Sequence, residues 1–408
     1  DDIAAGKIII RNKHYFVSLQ GLSLSWQLLA NGKKVAQGQG LPLSAAAQQS
    51  QEVFIDYGID RIPGAEYFLN LQVTSDNNNG AIPKGHISAW SQLALPSIPV
   101  APEKQPEIRL SINDKKQAFH FKGRDFNLSI DKTTGLISSM EYYGDELLKA
   151  SPRPDFWRAP TDNDLPIKGY GDKIAPWQKA GNHTKLVSIK LIKESKYQAK
   201  VEVEHYMSEI ASRYFTTYHV FGNGEVKVDV YFYAAPHKKQ PDIPRLGTLF
   251  ELDQDYSQVS WYGRGPHENY MDRNTSAHIG IYQSNVTDLY VPYVRPQENG
   301  YRSDVRNVSF YNQDGKGITF KGEPLIGFGA QYYDTADYHT TADEVKAKNL
   351  HPHELPKKQR IFVNIDYIQR GVGGTNTWGA KPLSDYIIPY LDYQYSYSFK
   401  PYAKDNSK

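Results

Sequence analysis

Hydrophobic and polar residues alternate with a period of two along much of this chain. Leu22, Leu24, Trp26 and Leu28 are interleaved with Ser23, Ser25 and Gln27, and Asn31-Gly32 follows as a type I′ hairpin signal. Tyr67, Leu69, Leu71 and Val73 repeat the pattern, as do Val226, Val228, Val230 and Phe232 after the turn at Asn223-Gly224. Leu391, Tyr393, Tyr395, Tyr397 and Phe399 predict a late strand, with Asp392, Gln394, Ser396 and Ser398 on its other face. Short strands between turn signals predict an all-β protein built of sandwiches, not of βαβ units. Helical periodicity is scarce. The best helix candidate starts at Thr341, where Thr341 and Glu344 have capping-box spacing, and stops near Pro352.

Residues 95–106, LPSIPVAPEKQP, hold four prolines in twelve positions, so this stretch stays extended and cannot join a central strand. It divides the chain. Residues 1–96 have the size of one immunoglobulin-like β-sandwich, with Trp26 in its core. Residues 97–106 form a linker, residues 107–402 one large β-sandwich and residues 403–408 a tail; two abutting sandwiches are the weaker division of 107–402.

Composition then narrows the function classes. The 408 residues carry 47 Lys+Arg against 45 Asp+Glu, a net charge of +2 that gives no electrostatic case for nucleic acid or an anionic membrane. Apolar runs such as Ile8-Ile9-Ile10 are far too short to span a bilayer. Thirty tyrosines suit strands, and their hydroxyls need partners where buried. The absence of cysteine removes disulfides, thiol nucleophiles and Cys-ligated metals, and names no compartment. The start, DDIAAGK, lacks the basic and apolar regions of a signal peptide and reads equally well as an internal cut point.

Four segments place Gly, Pro, Trp and charge together, which strand scaffolding does not require. The first, DFWRAPTDND, runs over residues 155–164. Asp162 and Asp164 are only two carboxylates without EF-hand spacing, so a tight Asx-rich turn is a simpler reading than a calcium loop. The second and third are WYGRGPHENYMDR (261–273) and YVRPQENGYRSDVR (293–306), each with one glutamate, Glu268 and Glu298. A glycosidase needs two carboxyls at a set separation. Nearby arginines favour the ionised form, however, which is the wrong state for a general acid, so a structural network is the preferred reading of both. The fourth, DYIQRGVGGTNTW (366–378), ends a strand in three glycines within four residues and is followed by Trp378, outside any alternating strand. Such an indole can stack on a flat apolar face such as one side of a pyranose ring, or else act as a lid over the end of a sandwich. There is no GxSxG elbow, no GxxxxGK[ST] loop and no HExxH.

FWRAPTDND, WYGRGPHENYMDR, YVRPQENGYRSDVR and QRGVGGTNTWG, in this order and at these separations, resemble the signature stretches of the C-terminal sandwich of large bacterial β-galactosidases, glycoside hydrolase family 2. Met271 stands where a proline is common in that family. Residues 1–96 are similar to the immunoglobulin-like domain that precedes this sandwich, on position and β pattern more than on motif. The resemblance implies a galactose-mutarotase-like all-β fold for 107–402. It also implies that the catalytic glutamates and the magnesium and sodium ligands lie on an upstream TIM barrel, of which this sequence shows no (β/α)₈ pattern. The chain by itself would then bind no cofactor or metal, hold no catalytic residue and be inactive. It would contribute Trp378 to the galactose pocket, bordered by the loop with Arg158, Asp162, Asn163 and Asp164. Its partners would be the barrel of the same polypeptide and a β-galactoside, with room for a homo-oligomer and none for nucleic acid or membrane. The alternative is a free-standing carbohydrate-binding or cell-surface β-sandwich protein without catalysis.

Overall fold

The computed structural model describes residues 2–101, 106–167, 169–236, 238–338, 344, 351–374, 376 and 378–403. The chain separates into two units, Asp1–Lys104 with His278–Ile281, and Gln105–Ala277 with Tyr282–Lys408. Both are built of antiparallel strands, so the all-β expectation holds.

The first unit has two sheets. Four strands run in the order Lys33–Leu43, Leu22–Ala30, Tyr67–Ser75 and Ile87–Ala94, and Lys7–Arg11 pairs with Ser50–Phe54. The alternation explains the core: Leu24, Trp26, Leu28, Leu69 and Leu71 point inward with Ile8, Val53 and Ile55. Asn31 and Gly32 both take positive φ, 47° and 77°, as the type I′ turn requires. Gly38, paired with Trp26, leaves the space that the indole fills; a Cβ there would lie 2.4 Å from Trp26 Nε1.

In the second unit, a five-stranded sheet over residues 111–146 and a twelve-stranded sheet share one core, which runs from Phe121 and Leu128 to Phe250, Phe320 and Phe399. Val226, Val228, Val230 and Phe232 are all buried. The late strand spans Tyr393–Ala403; it starts after Leu391, which is exposed, and buries Ser398 on the face expected to be polar.

The helix expected from Thr341 falls, Glu344 apart, outside the described residues. A helix the periodicity argument missed spans Tyr170–Ala180. It buries Tyr170, Ile174, Trp177 and Ala180, a 3.6-residue stripe. Pro176 within it is the residue that argues against a helix in sequence.

Strand direction positions the functional loops. Leu148–Asp155 and Arg360–Gln369 flank Arg245–Asp253 and run antiparallel to it, so both end beside Arg245. Arg302 at the start of Arg302–Tyr311 pairs with Phe328, which pairs with Ile365. The end of Gln258–Gly265 lies next to that start. All four singled-out segments therefore emerge at one end of the large sheet.

Candidate functional site

The loop over residues 158–164 is organised by a buried carboxylate. Asp164 Oδ2 accepts from Arg158 Nη2 at 2.9 Å and from Thr161 N and Oγ1, both at 3.0 Å. Its Oδ1 accepts from Arg370 Nη1 at 2.7 Å. Burial alone would raise the Asp164 carboxyl, but the two guanidinium groups and the Thr161 bonds outweigh it and hold the group below the ordinary aspartate range. Arg158 and Asp164 are only 1% and 2% exposed. They shape the loop from within and present no surface. Arg370 also lies over the ring of Tyr170, 5.3 Å from its centroid, so the first turn of the helix supports the same cluster.

The glycine-rich loop is tied to this one from several sides. Arg158 Nη1 donates to Arg370 O at 2.7 Å and Nη2 to Gly371 O at 3.1 Å. Asn163 Nδ2 donates to Val372 O at 3.1 Å. From the second segment, the Asp272 carboxylate accepts from Val372 N at 3.1 Å and Gly373 N at 2.7 Å. This contact explains the glycines: a Cβ on Gly371 would lie 2.5 Å from Asp272 Oδ2, and one on Gly373 3.1 Å from it. The third segment closes the ring of contacts. Arg295 Nε donates to Asp162 Oδ1 at 2.7 Å, and Gln297 and Asp162 exchange two hydrogen bonds, 2.8 and 2.9 Å. Asp162 and Asp164 are thus each engaged by arginine. Among the described residues no group of three or more His, Asp or Glu side chains could hold a metal ion.

Glu268 accepts from Arg273 Nη2 at 2.5 Å, from Gly300 N at 2.7 Å and from the Tyr293 hydroxyl. Glu298 accepts from Arg245 Nη2 at 3.2 Å. Both glutamates sit in arginine-bridged networks, but only Glu268 uses an arginine of its own segment. Arg245 comes from a different strand, and nothing in its sequence neighbourhood marked it. The same guanidinium also lies 2.9 Å from Asp366 Oδ2 through Nε and 3.6 Å from Asp155 Oδ2 through Nη1. The Asp366 contact is close but badly aligned, and neither Asp366 oxygen has a hydrogen-bond partner among the described residues. Complete burial raises the Asp366 carboxyl well above the ordinary range; Arg245 offsets this only in part, and Asp155 and Glu298 push it further up.

The segments enclose an open cleft of about 230 Å³, lined by Asp162, Asn163, Tyr270, Arg273, Gln297 and Glu298 among others. Tyr270 stacks on Tyr301, with centroids 5.6 Å apart, and its buried hydroxyl has no partner among the described residues. Beyond the glycine-rich loop, Trp378 is 89% exposed, its amide donating to Asn376 Oδ1 at 2.9 Å. It fills no core, so the lid reading fails. Of the residues singled out in sequence, Arg158 and Asp164 are interior supports, Asp162 and Asn163 join neighbouring loops at the cleft, and Trp378 stands bare.

Residues 122–400 match the family described as beta galactosidase small chain, and residues 8–96 match beta-galactosidase domain 4. The beta-galactosidase of Priestia megaterium is 31% identical over 403 residues, covering 98% of this chain and 37% of that protein. Those of Psychromonas ingrahamii and Vibrio cholerae are 28% and 29% identical, covering 95% and 97% of this chain and 38% of each protein. The chain thus spans well under half the length of these curated relatives. A galactose 1-epimerase from Lactobacillus acidophilus matches 72% of this chain and 98% of its own at a TM-score of 0.39 and 6% identity, a likeness too distant to carry an argument. All four converging segments fall inside the matched 122–400 stretch; the chain belongs to the beta galactosidase small chain family and corresponds to the C-terminal part of a beta-galactosidase.

Proposed function

We propose that this chain serves as the non-catalytic C-terminal part of a glycoside hydrolase family 2 β-galactosidase, which cleaves terminal β-D-galactosides with retention through a glycosyl-enzyme intermediate. The observation that carries this reading is the bare Trp378 at the end of a loop bonded to two of the other singled-out segments. An indole held at such a place can cover one face of a sugar while the locked loops keep water from the other side. This reading assigns no magnesium or sodium ion to the chain; among the described residues no group of three or more His, Asp or Glu side chains could hold a metal ion. Metal ions, both catalytic carboxylates and most sugar contacts would come from a TIM barrel elsewhere in the polypeptide.

The test uses the complete enzyme. Trp378→Ala should weaken substrate binding by about 1–2 kcal/mol, on the scale of aromatic contacts, while the melting temperature stays within the scatter of a surface change. The chain alone should not turn over an aryl β-galactoside. A Trp378→Ala enzyme with unchanged KM, or turnover by the chain alone that is lost on replacing Glu268 or Glu298, would refute the proposal.

A further inference from the structure

The four-stranded sheet of the first unit shows an unusual solvent face. Successive residues of a strand point to opposite sides. With Leu24, Trp26, Leu28, Leu69 and Leu71 turned to the core, Ser25, Gln27, Asn70 and Gln72 must face outward. The register assembles them into two rows. Gln37, Gln27 and Asn70 lie side by side across three strands, and Ser25, Gln72 and Trp90 do so one step along. Asn70 continues its row by accepting from Gln92 Nε2 at 2.8 Å. The rows floor a cleft of about 640 Å³ beside Trp90, a residue that is 58% exposed. None of these six side chains carries a charge. Lys34 reaches the edge of the face, donating to Gln37 Oε1 at 2.8 Å, and His278, from the segment 278–281 of the same unit, is the titratable residue on the cleft wall.

We propose that this face is a second saccharide site, which takes a neutral oligosaccharide chain. An amide offers two donors and an acceptor oxygen, and a sugar hydroxyl donates and accepts in turn, so the two groups are complementary; Gln37 Oε1 and Asn70 Oδ1 each hold one donor already and keep a second lone pair. Trp90 supplies an apolar plate for the C–H face of one ring. The absence of fixed charge on the rows argues against phosphate-bearing ligands and nucleic acid, whose binding rests on Lys and Arg. The strand edges are not involved, so an added peptide strand has nothing to pair with on this face. Adjacent strands lie about 4.8 Å apart and the two rows about 7 Å apart, which makes the platform longer than one pyranose ring. Shallow contact with flexible amides gives weak binding, in the range of about 1–10 mM. The inference stands on the first unit alone and does not depend on the role proposed for Trp378.

The test titrates this chain with β-(1→4)-galactotetraose and with maltotetraose, followed by calorimetry and tryptophan emission. At least one neutral tetrasaccharide should bind. Trp90→Ala should weaken that binding by about fivefold or more, and Gln72→Ala by a smaller factor. Both variants should melt like the parent chain, because the two side chains lie on the solvent face. Trp378→Ala should bind as the parent does. Failure of both sugars to bind up to about 50 mM would overturn the proposal. So would binding that Trp90→Ala leaves intact, binding lost only in Trp378→Ala, or tighter binding of an acidic oligogalacturonate.

Discussion

The second unit holds two buried clusters of carboxylate and guanidinium side by side in its chain, with opposite stoichiometry. Around Asp164, one acid is shared by Arg158 and Arg370. Around Arg245, one base is shared by Asp155, Glu298 and Asp366. The same residue types at similar depth respond in opposite directions: the Asp164 carboxyl is held low, and that of Asp366 is pushed well up. Burial raises both carboxyls; the two guanidinium groups around Asp164 outweigh it, and the single one shared around Asp366 does not. The clusters also differ in how they can fail. A surplus carboxylate can take up a proton, whereas a surplus guanidinium stays charged at any pH a protein survives.

That asymmetry sets the largest expected effect. Asp164→Ala would leave two buried guanidinium groups without a counter-charge and should cost about 3–5 kcal/mol of stability. Arg245→Met should cost less, about 2–3 kcal/mol, because the acids it strands can neutralise themselves by protonation. Denaturant unfolding of both variants at neutral pH measures the difference. Equal losses, or a worse outcome for Arg245→Met, would break the contrast.

The pH dependence sharpens it. Asp164 has a lowered folded pKa, so its stabilising contribution is present above the unfolded value of about 3.9 and is lost as the pH falls through the folded value. Asp366 has a raised folded pKa, so its contribution is full below about 3.9 and is lost as the pH rises through the folded value. Asp366→Asn should therefore flatten the decline of melting temperature on the alkaline side of pH 4 and change the maximum little. Melting curves from pH 4 to 8 for the parent and Asp366→Asn decide the matter; parallel curves would mean that Asp366 is ionised throughout.

The smallest effect belongs to a third acid, Asp272, which faces backbone amides and no guanidinium of either cluster. Asp272→Ala should cost about 1–2 kcal/mol at most. Its clearer signature is local: amide hydrogen exchange at Val372 and Gly373 should speed up markedly, with core strands unaffected. Unchanged exchange there would show that Arg158 and Asn163 hold the glycine-rich loop without Asp272.

Much of this architecture follows from the order of residues. Period-two alternation over residues 22–28, 67–73 and 226–232 specifies strands and their inward faces, because a one-residue slip would turn every apolar side chain to water. Asn31-Gly32 specifies its own turn, since few other pairs tolerate two positive φ values. The same local logic marked the four segments and the bare Trp378, whose glycine-rich approach and lack of alternation are readable without a fold. Tertiary structure decided the rest. Arg245 sits in a strand with no motif around it, yet it binds acids from three different segments, because strand pairing carries Asp155 and Asp366 to its side. The helix at Tyr170–Ala180 forms despite Pro176, since burying Trp177 and Ile174 against the core outweighs the lost backbone bond. Two of the three glycines of the fourth segment, Gly371 and Gly373, are meaningful only once Asp272, a hundred residues earlier, is placed against them. Local sequence sets backbone conformation and facing through short-range sterics and solvent; which charges meet is set by pairing across the sheet, and no window of sequence contains that information.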